Sequence, residues 1–439
     1  MNSPSNSFPT SVAPRSLRWL VLSCAIAMSV GWGLRGYIGG GTFGAMIPGA
    51  LVALVLCRGL GVPDSMSACV AAFGAVGVGF GGQETYGLTV RMVTNGGDSF
   101  LWGLLGLTLK GAMWGLLGGA MIGVALIAPR VSRRDLGLAL AALVAATWLG
   151  WRFVDDPKLL YFSNLRDKPR PEVWAGLLTG GLAFLLVLAW RIRAAARVPW
   201  SFAVAGLIGG GIGFGGGGAS YAAGMNLGFD ANWYPGWKQM EFTFGLCFGA
   251  ALALAAWWQR AAILEHERPA GLDKLAGVDR HVWWPFASVL LAAGILFLAA
   301  QLRVRFGFTV GGAALLAFVW WSRRAAWQIA LTLTIAGFAL NVGESFTTSF
   351  LPDRPLPAKI VALLLAAVVA VIVARRERSG RPMVPWALEF LLWTAIAASL
   401  CQSVFQSKYT LAVALPVVAF LIGGAIVSWL WRKPPSKQT

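Results

Sequence analysis

The chain has 439 residues, of which 57% are hydrophobic and only 12% charged, with 55 Gly, 22 Trp and a mean hydropathy of +0.68. A globular protein carries about 25% charged residues, so a soluble enzyme is excluded and the composition reads as a multi-pass membrane protein. Lys and Arg number 36 against 18 Asp and Glu, a formal charge of +18, but the cations stand in small groups at the ends of apolar runs, a pattern of cytoplasmic loops that argues against nucleic acid as a partner.

Residues 1–16 are Ser- and Pro-rich and read as a disordered cytoplasmic tail. Taking Val21-Leu22-Ser23-Cys24 as a lipoprotein signal would leave an apolar region of about five residues, short of the roughly 7 to 15 that a signal needs. The first apolar run is therefore expected to be an uncleaved helix. At about 20 residues per span, the sequence predicts an all-α bundle of about fourteen transmembrane helices. They fall near residues 17–34, 38–57, 66–90, 101–128, 135–153, 172–191, 200–222, 237–258, 283–302, 306–321, 326–346, 358–374, 385–406 and 409–431. Connections of at most about 25 residues leave no room for a soluble domain, and 432–439 forms a second short tail.

Alternate assignment of the connections places Arg15 and Arg18, Arg58, Arg130 to Arg134, Arg191 to Arg197, Arg260 to Arg280, Arg323 and Arg324, Arg375 to Arg381 and Arg432 to Lys437 on one side. The positive-inside rule makes that side the cytoplasm, with both termini on it, as in a bacterial plasma-membrane protein. A weak parallel repeat runs through this layout. Gly77-Val78-Gly79-Phe80-Gly81-Gly82 with Tyr86 is echoed by Gly211-Ile212-Gly213-Phe214-Gly215-Gly216 with Tyr221, and Glu84-Thr85-Tyr86 by Glu344-Ser345-Phe346. Lys110, Lys238 and Lys359 each precede an apolar run and a basic cluster. Units of 17–128, 135–258 and 283–374, plus a terminal hairpin at 385–431, are expected from this spacing.

Glycines recur at helical spacing, as in Gly36, Gly40 and Gly44 or Gly111, Gly115, Gly119 and Gly123, which predicts faces where backbones approach closely. The runs Gly39 to Gly41 and Gly215 to Gly218 carry a second expectation, that they break their helices and expose backbone groups to a solute. Both six-residue glycine echoes match the dinucleotide fingerprint literally, but no strand precedes them and no βαβ unit surrounds them, so a nucleotide site is rejected.

Ionisable groups inside apolar spans are rarely kept without a partner or a task. Glu84 is expected on a helical face with Gly74, Gly77 and Gly81, and Glu344 on a polar stripe with Thr334, Gly337, Asn341 and Thr348. Ion pairing near the outer helix ends is the alternative for both. Arg35, Arg91, Lys110, Lys238 and Lys359 are the facing cations, with Glu241 one turn from Lys238. A single helix of about 28 residues at 101–128 would overrun a bilayer core about 30 Å thick, so the sequence favours a short outer helix and a Lys110 that reaches back to the surface.

Two outer connections hold aromatic rings beside charges: 152–172, with Asp155, Asp156, Tyr161 and Glu172, and 227–238, with Asp230, Trp233 and Tyr234. They suit a sugar or an amphiphilic headgroup, or simple interfacial anchoring. Cys24, Cys57, Cys69, Cys247 and Cys401 lie in apolar runs without paired spacing, and His266 and His281 lack supporting ligands, so neither a metal nor a cofactor is expected. No catalytic motif is present. The expected function is a secondary transporter or flippase for a polar or anionic solute, in which Glu84 and Glu344 couple protons or cations along a path with Asn341, Lys110, Lys238, Glu241, Arg35, Tyr86 and Tyr221. The alternatives are a lipid-linked sugar transferase acting through Asp155, Asp156 or Glu172, and a non-catalytic assembly subunit.

Overall fold

The computed structural model describes residues 15–163, 170–265, 306–320, 322–350, 356–404 and 410–432. The expected span near 283–302, the tails 1–14 and 433–439, His266, His281 and the Lys359 side chain lie outside the described residues. The described residues are 87% helical, and no strand occurs among them. In chain order the helices are α1 (Leu17–Ile38), α2 (Gly41–Leu60), α3 (Asp64–Gly81), α4 (Gly87–Thr94), α5 (Phe100–Leu126), α6 (Arg133–Gly150), α7 (Trp174–Ile192), α8 (Arg197–Asn226) and α9 (Gly236–Leu264). They continue as α10 (Gly307–Val319), α11 (Arg323–Trp327), α12 (Thr334–Phe350), α13 (Leu356–Arg378), α14 (Met383–Val404) and α15 (Leu411–Arg432), with a π-helical stretch at Gln328–Leu333. Among the described residues, ten stretches are long and apolar enough to cross a membrane, one of them (Trp174–Asn226) comprising α7 and α8 across the tight turn at Arg193, φ 47°.

Hydrogen bonds between helix ends sort the connections into two groups. At one end, Arg15 N donates to Gly59 O (2.8 Å), Met383 N to Asp64 Oδ2 (2.7 Å), Arg130 Nη2 to Ala262 O (2.9 Å) and Trp19 Nε1 to Leu430 O (3.0 Å). This end gathers Arg15, Arg58, Arg130, Arg191 and Arg432, so the sequence segments that share a charge sign also share a place. At the opposite end, Gln83 Nε2 donates to Thr309 Oγ1 (2.7 Å), Ala412 N to Asn232 O (2.9 Å) and Gln402 Nε2 to Ser345 Oγ (3.1 Å). The buried acids lie here.

Missing side chains set the helix spacing. A Cβ on Gly111, Gly115 or Gly119 of α5 would come within 2.3, 1.8 and 2.1 Å of the carbonyl oxygens of Gly210, Gly206 and Phe202 on antiparallel α8. An adjoining part of the same glycine-rich side of α8 meets α9 through Gly209, Gly213 and Gly217. Such backbone approach gains dispersion contacts where lipid offers no hydrophobic drive. The Gly215–Gly218 run does not break its helix: α8 is continuous through it. Gly39, Gly40 and Gly41, with φ of 130°, 76° and 66°, form the α1–α2 turn, and Gly40 is not a packing contact, since a Cβ there would meet nothing within 4 Å.

Two further expectations need correction. The span placed at 66–90 ends at Gly81, unwinds over 82–86 and restarts as α4, because Gly82 packs directly on the α1–α2 turn, its Cβ position 2.6 Å from Gly41 O. And α5 is one helix of 27 residues with Lys110 fully buried, neither split nor reaching to the surface. The lysine stays buried inside the bundle because acids from two other segments come to it.

Candidate functional site: two buried ion clusters

The unwound segment 82–86 carries Glu84, Thr85 and Tyr86 between two groups of charges. On one side, Lys110 Nζ donates to Thr85 O (2.7 Å), Thr89 Oγ1 (3.0 Å) and Glu172 Oε1 (2.7 Å), and lies 3.0 Å from Glu84 Oε1. An ammonium has three N–H donors, and all three are taken, so Glu84 Oε1 is attracted by charge alone and accepts no hydrogen bond. Glu84 Oε2 accepts from Val173 N (2.7 Å), while Glu172 accepts from Ser163 Oγ (2.9 Å) and Phe162 N (3.1 Å). The side chains of Lys110, Glu84 and Glu172 have no solvent exposure. One cation thus faces two acids, and Phe162, Ser163, Glu172 and Val173 are tied onto α5 and the segment that follows α3.

On the other side, Arg35 Nη1 donates to the Tyr86 hydroxyl (2.7 Å), which donates to Glu241 Oε1 (3.2 Å). Glu241, also fully buried, accepts from Trp237 Nε1 (3.0 Å) and pairs with Lys238 (2.6 Å). Its carboxylate fits because Gly36 of α1 lacks a side chain at that point. Arg35 is only 3% exposed, and its guanidinium lies over the rings of Trp32, Trp114 and Tyr86 at 5.1, 5.4 and 5.5 Å. Two cations here face one acid.

The structure brings Glu84, Lys110, Glu172, Arg35, Tyr86, Lys238 and Glu241 together at one end of the bundle. It separates the others. Glu344 is exposed on α12, whose Asn341 approaches Gly40 O at 3.5 Å and whose Ser345 meets Gln402 of α14. Tyr221 packs edge-on to Tyr234 (6.2 Å), and Trp233, 44% exposed, packs beside Phe229. Asp155 accepts from Ala175 N and Gly176 N and so caps α7, Asp156 pairs with Arg152 (3.0 Å), and Asp230 accepts from Asn232 N. The three acids proposed for a transferase therefore do three separate jobs. Among the described residues no group of three or more His, Cys, Asp or Glu could hold a metal ion.

Sequence reasoning missed Trp32, Trp114 and Thr89, and placed Trp237 only among the rings of the outer connection 227–238. The spacing of Trp32 and Arg35, one helical turn apart, was a usable signal, whereas Trp114 and Thr89 reach the site only through packing. No protein-family model, no characterised protein and no solved structure matches the chain.

Proposed function

We propose that the protein is a secondary transporter or flippase for a polar or anionic solute, crossing a bacterial plasma membrane about fourteen times with both termini in the cytoplasm. One observation carries the reading: two buried ion clusters, unbalanced in opposite directions, share the unwound segment 82–86. Burying a charge costs several kcal/mol in general, and a cluster that stays unbalanced keeps part of that cost. The acid-rich Lys110 cluster is suited to accept a proton at Glu84, and the cation-rich Arg35 cluster to attract an anion. Glu84 and Tyr86 are two residues apart on that segment, which supports coupling between the two clusters. Lys110 and Lys238 each lie on the last long helix of a four-span unit, which supports the parallel repeat at 17–128 and 135–258. The basic clusters gathered at one end support the cytoplasmic assignment.

The test is uptake in proteoliposomes under a pH gradient, with a panel of small organic anions and sugars. Glu84→Gln, which mimics the protonated acid, should abolish gradient-driven uptake and leave solute exchange intact. Unchanged uptake in Glu84→Gln would remove the coupling role. If no solute moves, and turnover of a lipid-linked sugar depends on Asp155, Asp156 or Glu172, the transferase takes its place. Single cysteines at 130–134 and 375–381 should resist an impermeant thiol reagent in intact cells, and labelling there would invert the topology.

A further inference from the structure

The Arg35 guanidinium is short of acceptors. Its Nη1 bonds to Tyr86, its Nε is buried with no hydrogen-bond partner, and among the described residues no carboxylate comes within the 4.0 Å of an ion pair. Glu241, the nearest source of compensation, is already held by Lys238, Trp237 and Tyr86. The walls are equally one-sided: Trp32 Nε1 and Trp114 Nε1 are buried donors without acceptors. An indole offers a donor and no acceptor, so the cage supplies N–H groups and ring faces and little to receive a hydrogen bond.

A second feature adds positive potential. The Arg35 side chain lies along the first turn of α2, where a Cβ on Gly44 would sit 3.1 Å from Arg35 Cγ. That helix has Gly40 as its N-cap, which supplies no side-chain cap, and among the described residues no side chain accepts from its first-turn N–H groups. Gly40 and Gly41 lie in the exposed α1–α2 turn, where a Cβ at either would meet nothing within 4 Å, so this side of the site opens to the end of the bundle.

We infer that the Arg35 cage is the binding site for a small organic monocarboxylate with an apolar or aromatic body. The Nε edge of a guanidinium matches the two oxygens of a planar carboxylate. The surplus of one positive charge among Arg35, Lys238 and Glu241 matches one negative charge and not two. Trp32 and Trp114, whose rings flank the guanidinium at 5.1 and 5.4 Å, make the surroundings of the charge apolar, which suits an apolar or aromatic ligand body better than a strongly hydrated inorganic ion. Binding at the cage deepens the transport reading and depends on it only for the movement of the bound anion across the membrane.

Benzoate and acetate serve as probes, with inorganic phosphate for comparison, each titrated into the detergent-purified protein by calorimetry at constant ionic strength. Benzoate should bind saturably at one site, more tightly than acetate or phosphate. Arg35→Lys, which keeps the charge but loses the planar fork, should weaken benzoate at least about 10-fold, and Arg35→Gln should abolish it. Arg260→Gln, exposed at the opposite end, should bind as the wild type does. If Arg35→Gln does not fold, the lysine variant still decides. No benzoate binding by the wild type, unchanged affinity in Arg35→Lys, or phosphate bound more tightly than benzoate overturns the site. Because binding needs no gradient, saturable benzoate binding without uptake would leave the site standing and remove transport. Uptake by a wild type that does not bind benzoate would do the reverse.

Discussion

Lys110 and Arg35 are both buried cations at the same end of the bundle, on either side of one unwound turn, and their surroundings are opposite. Lys110 has every N–H donated within 3.0 Å and a second carboxylate at 3.0 Å. Arg35 has one hydroxyl acceptor, three aromatic rings and a bare Nε. A cation satisfied from four directions ties chain segments together, and what stays open to change in its cluster is Glu84, whose Oε1 accepts no hydrogen bond. A charge left short of acceptors contributes little to the fold and keeps its capacity to bind. Burial alone therefore does not separate a structural ion from a functional one, whereas the tally of donors and acceptors does.

The strongest way to break that contrast is Lys110→Met, which strands two buried carboxylates. It should destabilise the protein by about 3 to 5 kcal/mol, read as a lower thermal midpoint and lower folded yield in detergent. A loss no larger than that of Arg35→Gln would erase the distinction. Next is Glu241→Gln, which removes the only acid of the cation-rich cluster. Lys238 keeps some solvent contact, with 13% of its side chain exposed, so the expected cost is lower, roughly 1.5 to 3 kcal/mol for hydrogen bonds to a charged group. Comparable in size is Gly111→Ala, beside Lys110, where a Cβ would come within 2.3 Å of Gly210 O. Separating α5 from α8 there should cost about 1 to 3 kcal/mol, and wild-type stability would show that the lysine is not held by this contact. The smallest effect is expected for Arg35→Gln. Lost ring contacts of about 0.5 to 2 kcal/mol are offset by removing a desolvated charge, so the thermal midpoint should change little while benzoate binding disappears.

Several of these residues were visible in the sequence before their partners were. Glu84, Lys110, Arg35 and Glu241 stand out because a charge in an apolar run is costly wherever the run folds. Glu172 was legible only as one of several acids in a loop rich in prolines and charges, a candidate transferase base, and its pairing with Lys110, 62 residues away along the chain, could not be read there. Glu344 shows the converse. A helical wheel places it on a polar stripe, yet that stripe divides, with Asn341 reaching the α1–α2 turn while Glu344 is exposed. The glycine faces of α5 and α8 were legible as faces, but nothing in their spacing said that they would meet each other.

The sequence by itself determined that the chain is a bundle of apolar helices and which segments share a basic end, because transfer of apolar and charged groups is a residue-by-residue free energy that hydropathy already sums. It also determined which glycines align along a helix, because the helical period is local. The tertiary structure alone decided that α3 stops at Gly81, that α5 runs unbroken past Lys110, and that the surplus acid and the surplus cation fall on opposite sides of Tyr86. Those outcomes depend on pairings between segments tens of residues apart, and the strength of a buried charge pair depends on distance and on the groups that exclude water, neither of which a linear pattern contains.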